Sequence, residues 1–365
     1  MSTLLLDCRP AGGPTVTVPA SFALRVHDGG IRDLGDLEAR PDETVLDLAG
    51  AYLVPGLVDA HVHLELGGMD PHESGDLNIA HGVTAVRDLG RAERPWDRTR
   101  AGAPLAVRAS GGLTRQGAYG GFIGRELGPG DDVVRAVRHL VAAGAQVVKI
   151  VVSGRVDFER RTAASPHFSR AELRAMIHVA HEMGVPVAVH ANGCQAIEWA
   201  VEAGADSIEH GILADEDTIA AIAGSRCVWV PTLTALHAQN SAHGWPMLPH
   251  ILADHQMMVF RAREMGAQIA TGTDAGATRV KHGSLLTECV LLREAGLSPS
   301  EVRDAATVVA ARLLGLPDDY GRLQRGALTD LVWFRSDPFA SSVVPAPGAS
   351  TERPLGMLLV PRCQR

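Results

Sequence analysis

The chain has 365 residues, a formal net charge of −8 and a pI near 6.0, which excludes the basic face that a nucleic-acid partner requires. Five cysteines, an odd number without CxxC spacing, exclude a disulfide framework and a zinc knuckle. Neither a basic start followed by an apolar core nor a run of about 18 apolar residues is present, so a cytoplasmic setting away from membranes is expected.

Residues 1–54 read as short strands and turns: TVTVPASFALRVHDGG, a polar loop, then TVLDLAGAYLV, with period-two patterning and Gly-Gly or Pro-Asp breaks. From residue 55, strand and helix alternate. Strand-like runs recur at 57–61, 84–89, 104–110, 146–152, 186–190, 206–210, 227–233 and 268–274. Helices are predicted over 131–144, 169–184 and 195–204, the first with Asp at its start and Gly at its end. Eight strands joined by helical crossovers predict an α/β fold, a parallel sheet closed into a (β/α)8 TIM barrel. Residues 284–314 are predicted as two helices, the second opened by the capping sequence Ser298-Pro299-Ser300-Glu301. Strand character returns over 321–339 and 356–362, expected to pair with the N-terminal strands in a small β-sandwich. The expected division is 1–54 plus 317–365 for that domain and 55–316 for the barrel, with a Pro/Ser/Ala-rich loop at 338–354.

The chain is organised around residues 53–64, LVPGLVDAHVHL. In a strand, residues i and i+2 face one side, so His61 and His63 point together while Val62 points away. Alone, such a pair reads equally well as two structural histidines. Four later apolar runs each carry one more plausible ligand: Lys149 in VVKIVVSG, His190 in VPVAVHANG, His210 in DSIEHG and Asp274 in IATGTDAG. Together these are the residue types of a binuclear divalent-metal site, and in a barrel catalytic groups sit at the C-terminal strand ends.

The sequence resembles the amidohydrolase superfamily of metal-dependent hydrolases, in the branch of Xaa-Pro and Xaa-Arg dipeptidases and imidazolonepropionase-like proteins. The likeness rests on PGLVDAHVH (55–63), HGVTAVRDLG (81–90), VVKIVVSG (147–154), VAVHANG (187–193), DSIEHG (206–211), TGTDAG (271–276) and residues 282–316. It extends to 321–339, with Thr329 where the family more often has Ala. The resemblance implies that His61 and His63 bind one metal ion and His190 and His210 a second. Lys149, carbamylated by carbon dioxide, would bridge the two, and Asp274 would hold the first ion and the nucleophilic water. Two divalent ions, zinc by expectation, are the implied cofactors.

A free ammonium beside two dications would be repelled; a carbamate is an anion whose two oxygens can span ions about 3.5–4 Å apart. Asp274 is the expected catalytic proton carrier, delivering the water's proton to the leaving nitrogen. Deaminases of the superfamily, and imidazolonepropionase itself, generally hold one metal, which sets the bridging lysine against them. A non-catalytic scaffold predicts lost ligands, yet all six are present.

The expected activity is hydrolysis of a small-molecule amide: a dipeptide, an N-acyl amino acid or a cyclic amide. A lactone, carbamate or phosphoester is the alternative on the same centre. Candidate substrate contacts are Tyr119, Arg115 and Arg125 in or beside the Gly-rich loop 110–125, Arg155 where relatives more usually have Gly, His237, and His282. Dipeptidase relatives commonly have Gly-Gly-His in that loop and a Tyr near His237, and both are missing here. Self-association into a homo-oligomer is left open.

Overall fold

The computed structural model describes residues 2–13, 18–90, 100, 102–243, 245–341, 343 and 352–359. Residues 342 and 344–351 of the expected loop, residues 15–17 of the first strand-like run, residues 360–362 of the last one and Cys363 lie outside the described residues.

The first strand, Ser2–Pro10, pairs antiparallel with Phe22–His27 and parallel with Thr44–Asp47. Its register shifts between Leu5 and Cys8, where Asp7 takes a φ of 47°. Beyond the shift, Arg9 and Pro10 run parallel to Tyr52 and Leu53. An irregularity of this kind bends a strand, so one strand serves two halves of the sheet. The second half is completed by the far end of the chain: Leu331–Phe334 lies antiparallel to Tyr52–Pro55, and Gly356–Leu358 adds to its other edge. Leu5, Phe22, Leu24 and Ile31 join Leu53 and Leu331 in one apolar cluster. The result is a small β-sandwich made from both chain ends.

The barrel strands are Leu57–Val62, Val83–Asp88, Leu105–Arg108, Val148–Val151, Val187–Ala191, Ser207–His210, Val228–Val230 and Gln268–Ile269, each within one of the eight predicted runs or overlapping it by all but a residue. They pair in parallel. The third is extended by Gly112–Arg115, which reaches the fourth strand through the pair Lys149↔Gly112. A further short strand, Gly124–Leu127, lies on its outer edge, so close that a Cβ on Gly124 would sit 2.1 Å from the Gly112 backbone. Hydrogen bonds between the eighth and first strand ends close the ring: Ala60 N to Thr271 O (3.0 Å), Asp274 N to His61 O (2.8 Å) and His63 N to Ala275 O (2.7 Å). The strands are buried almost throughout, as parallel strands sheathed in helices are.

The predicted helices form as Val133–Ala142, Arg170–Glu182 and Cys194–Ala203. Asp132 caps the first, and Ser169 with Glu172 makes a capping box for the second. Ser298 and Glu301 form another box at Pro299–Asp304, and that helix continues through a π turn, Ala305–Val309, into Ala310–Leu313. Two helices after the seventh strand, Leu233–His243 and Leu248–Glu264, escaped the sequence reading. Leu233, Ala235, Leu236 and Ala238 are all buried, so the first of them shows no single apolar stripe to announce it. Cys8, Cys194, Cys227 and Cys289 are free thiols, and no helix among the described residues is long and apolar enough to cross a membrane.

His255, on Leu248–Glu264, packs its ring 5.4 Å from that of Trp229 and shares a 3.0 Å hydrogen bond from Nε2 to Pro231 O at the end of the seventh strand. Burial pushes the imidazole down to about 4. Between that value and the ordinary 6.5 the unfolded chain holds a proton that the native one lacks, so stability falls as pH drops through this window. His255→Gln is expected to flatten that slope, checked by urea midpoints on either side of the window.

Candidate metal centre

His61 and His63 leave the end of the first barrel strand two residues apart, as alternation requires. Asp59, on the same strand, ties it to the segment that carries Asp274. Its carboxylate accepts from Thr273 N (3.0 Å), Thr273 Oγ1 (2.6 Å) and His61 N (3.2 Å). Asp274 then turns into the left-handed region at φ 62°. Its Oδ1 lies 3.4 Å from His61 Nε2 and 3.2 Å from His63 Nε2. The ligand atoms of these three residues fall within 4.8 Å of one another.

His210 and His190 extend the cluster, with ring centroids 4.8 Å between His61 and His210 and 4.6 Å between His210 and His190. His210 is also left-handed, at φ 67°; its carbonyl accepts from Trp229 Nε1 (2.9 Å) and its Nδ1 shares a 2.8 Å hydrogen bond with Thr232 Oγ1. The following Gly211 has to be glycine, because a Cβ there would lie 2.5 Å from the Trp229 indole. Lys149 projects from the fourth strand into the same group, and its positive charge acts on His61, His190 and His210 alike. The structure therefore brings all six predicted ligands to the C-terminal mouth of the barrel.

The donor set fits divalent cations. Burial drives His61 down to about 4, His190 to about 3 and His210 well below the ordinary histidine value, so the imidazoles are neutral and able to donate lone pairs. His61 Nε2 and Lys149 Nζ are both buried without a hydrogen-bond partner, a costly state that a ligand would relieve. Burial also brings the Lys149 ammonium down to about 8. For Asp274, burial raises the carboxyl, but the hydrogen bond to His63 and the neighbouring positive charges bring it below its usual value.

Each imidazole is oriented from behind, which fixes ring and tautomer. His61 Nδ1 hydrogen-bonds Glu209 Oε2 at 2.7 Å; Glu209 Oε1 in turn accepts from Arg87 (2.7 Å) and Ser207 Oγ (2.5 Å). His63 Nδ1 bonds the Gly90 carbonyl, and the Asn192 side-chain amide lies 3.2 Å from His190 Nε2. The sequence reading missed Glu209, Arg87, Asp59 and Asn192. The available signal was a charged or amide residue inside or beside an apolar strand, where an unpaired one is rarely buried.

A cavity of about 260 Å³ opens onto Asp274, His190 and His210. Tyr119 and Arg155 line it, together with Asn192 and Gln239, which the sequence reading did not single out. The other proposed contacts are placed elsewhere. Arg115 is held by Glu172 (2.5 Å), by the carbonyls of His167 and Gly128 (both 3.3 Å) and over the Phe168 ring at 4.5 Å. Arg125 is exposed on the Gly124–Leu127 strand. His237 sits on the helix that presents Ala235, Leu236 and Gln239 to the cavity, but is not itself in the lining. His282 is buried against Asn78, with 3.2 Å between its Nδ1 and the amide nitrogen.

Glu209→Gln would leave the Arg87 guanidinium, buried in the barrel, without its counter-charge. A loss of about 3–5 kcal/mol in urea unfolding is expected, with divalent-metal affinity weakened by about 10–100-fold in a calorimetric titration.

Residues 52–350 match the Amidohydrolase family. The chain is 31% identical over 361 residues to an uncharacterized protein of Mycobacterium tuberculosis, covering 88% of this chain and 92% of that one. It is 28% identical over 383 residues to the imidazolonepropionase of Mycolicibacterium smegmatis, covering 91% and 90%. A solved Xaa-Pro dipeptidase with methionine bound in its active site superposes with a TM-score of 0.78 at 23% identity, over 93% of this chain and 95% of that one. With a barrel mouth of this composition and a match over most of its length, the chain belongs to the amidohydrolase family and is a hydrolase.

Proposed function

We propose that this hydrolase is binuclear and cleaves the amide bond of a dipeptide, an N-acyl amino acid or a cyclic amide. The observation that carries the reading is the Lys149 amine, buried and without a hydrogen-bond partner beside three neutral imidazoles and Asp274. The Lys149 ammonium, brought down to about 8, gives up one proton, and the neutral amine adds to carbon dioxide: the N–C bond forms, a second proton leaves, and the product is an anion. His61, His63 and Asp274 would hold one divalent ion, His190 and His210 the other, with carbamylated Lys149 between them. When bound, the two ions, zinc by expectation, supply Lewis acidity toward the scissile carbonyl and the attacking water.

The chain's own groups do the rest. The Asp274 carboxylate, kept ionised, accepts the proton that water gives up and returns it to the leaving nitrogen, without which an amine departs poorly. Burial pushes the Tyr119 phenol up to about 12, so its hydroxyl stays protonated and can donate to an oxygen that gains charge. Phe122, Phe158 and Leu236 in the cavity wall shield the reacting groups from bulk water. The amide half of the reading is supported by the likeness to an imidazolonepropionase and to a Xaa-Pro dipeptidase.

Asp274→Asn is expected to lower kcat on a cleaved amide by about 10²–10⁴-fold while much of the metal stays bound; full activity would remove its proton-carrying role. Chelation should abolish turnover and zinc restore it. Lys149→Met should lose both the carbamate signal, seen by carbon-13 NMR with labelled bicarbonate, and part of the bound metal. Activity on esters or lactones with none on any amide would overturn the proposed reaction.

A further inference from the structure

The cavity beside Asp274 has two chemical ends. Its apolar wall is formed by Phe158, Ile212, Leu236 and Val280, among others. Among the described residues lining it, Arg155 is the only arginine or lysine. Arginines nearby in sequence are already neutralised: Arg115 by Glu172, Arg160 by Asp157 and Arg161 by Asp254. Among the described residues Arg155 has no ion-pair or hydrogen-bond partner.

The local fold keeps it so. Asp157, the acid nearest in sequence, is committed to a tight turn, accepting from the backbone N–H groups of Glu159 (3.1 Å) and Arg160 (2.9 Å) and from the Arg160 guanidinium (2.7 Å). That turn joins Val156–Asp157 to Thr162–Ala163 as a small antiparallel pair. Just before it, Gly154 passes so near Ala164 that an added Cβ would lie 2.8 Å away. Residue 155 is thereby fixed at the rim of the cavity. Its side chain is exposed at that rim, so an incoming carboxylate can displace water from the guanidinium and be gripped through two parallel hydrogen bonds.

We propose that Arg155 holds the free carboxylate of the substrate, so that the substrate is an N-acyl amino acid or a dipeptide with an apolar side chain rather than a cyclic or uncharged amide. This rests on the amide-hydrolase reading above. The carboxylate at Arg155 places the amino-acid half as the leaving group. Water adds to the acyl carbon, the C–N bond breaks, and the departing nitrogen takes the proton that Asp274 carries. The side chain lies against Phe158, Ile212 and Leu236. A cavity of about 260 Å³ suits a molecule of this size and is smaller than drug-sized ligands occupy.

The test compares N-acetyl-L-leucine and Ala-Leu with their C-terminal carboxamides on the zinc-loaded enzyme, and measures binding of L-leucine by calorimetry. The free acids should be preferred by about tenfold or more in kcat/KM, the worth of one charge-assisted contact. Arg155→Gln should erase that preference, chiefly by raising KM for the acids while kcat changes little, and should weaken leucine binding. Arg155→Lys should recover part of both effects. Equal turnover of acid and carboxamide by the unaltered enzyme, or a preference unmoved in Arg155→Gln, would overturn the assignment. Leucine binding that weakens in Arg155→Gln on a protein cleaving no amide would support the anchor and overturn the amide-hydrolase reading instead.

Discussion

The Glu209 carboxylate sits at the centre of the barrel and is shared between a cation and an imidazole. One oxygen takes the Arg87 guanidinium and the Ser207 hydroxyl; the other takes His61. Arg87 also donates to Ala60 O (2.7 Å) and to Ser207 Oγ (3.0 Å), so this one group links the first, second and sixth strands. A buried ion pair is weak grounds for stability, because desolvation offsets most of the attraction. What it contributes here is orientation. With its lone pairs taken up by surrounding donors, the carboxylate has one arrangement, and His61 inherits it.

A comparable economy governs the mouth. Three backbone hydrogen bonds pin the eighth strand's end to the first, and Asp59 doubles the connection through Thr273. The left-handed backbones at His210 and Asp274 are the sparsely populated conformations that persist only where surrounding structure over-determines them. Farther out, Glu288 does for the cavity wall what Asp59 does for the ligands. It accepts from Leu233 N (3.0 Å), Thr234 N (2.7 Å) and Thr234 Oγ1 (2.7 Å) at the start of the helix that carries Leu236 and Gln239.

The barrel and its six convergent side chains were legible because parallel strands buried on both faces read as apolar runs, and reactive groups stand where those runs stop. Period-two alternation was enough to aim His61 and His63 together. The supporting groups were not legible, since Arg87 and Glu209 are separated by 122 residues and nothing local announces their pairing. The substrate contacts divide for a similar reason. Whether an arginine reaches a cavity depends on which acid captures it first: Arg115 finds Glu172, 57 residues on, whereas the acid nearest to Arg155 is spent on a turn. His237 and His282 lie outside the cavity lining, because helix rotation and depth decide what faces the cavity, and neither is written in a short motif.

Tyr52–Pro55 is hydrogen-bonded on one side to the first strand of the chain and on the other to Leu331–Phe334. On the ribosome the first of these partners emerges before the barrel and the second only after it. The early strand therefore keeps a bare edge while the whole barrel is being translated, and the sandwich is sealed only once the closing stretch has left the exit tunnel. Vectorial delivery, more than any local preference of the peptide, sets how long that nascent edge must be kept from pairing with a neighbour on the same polysome.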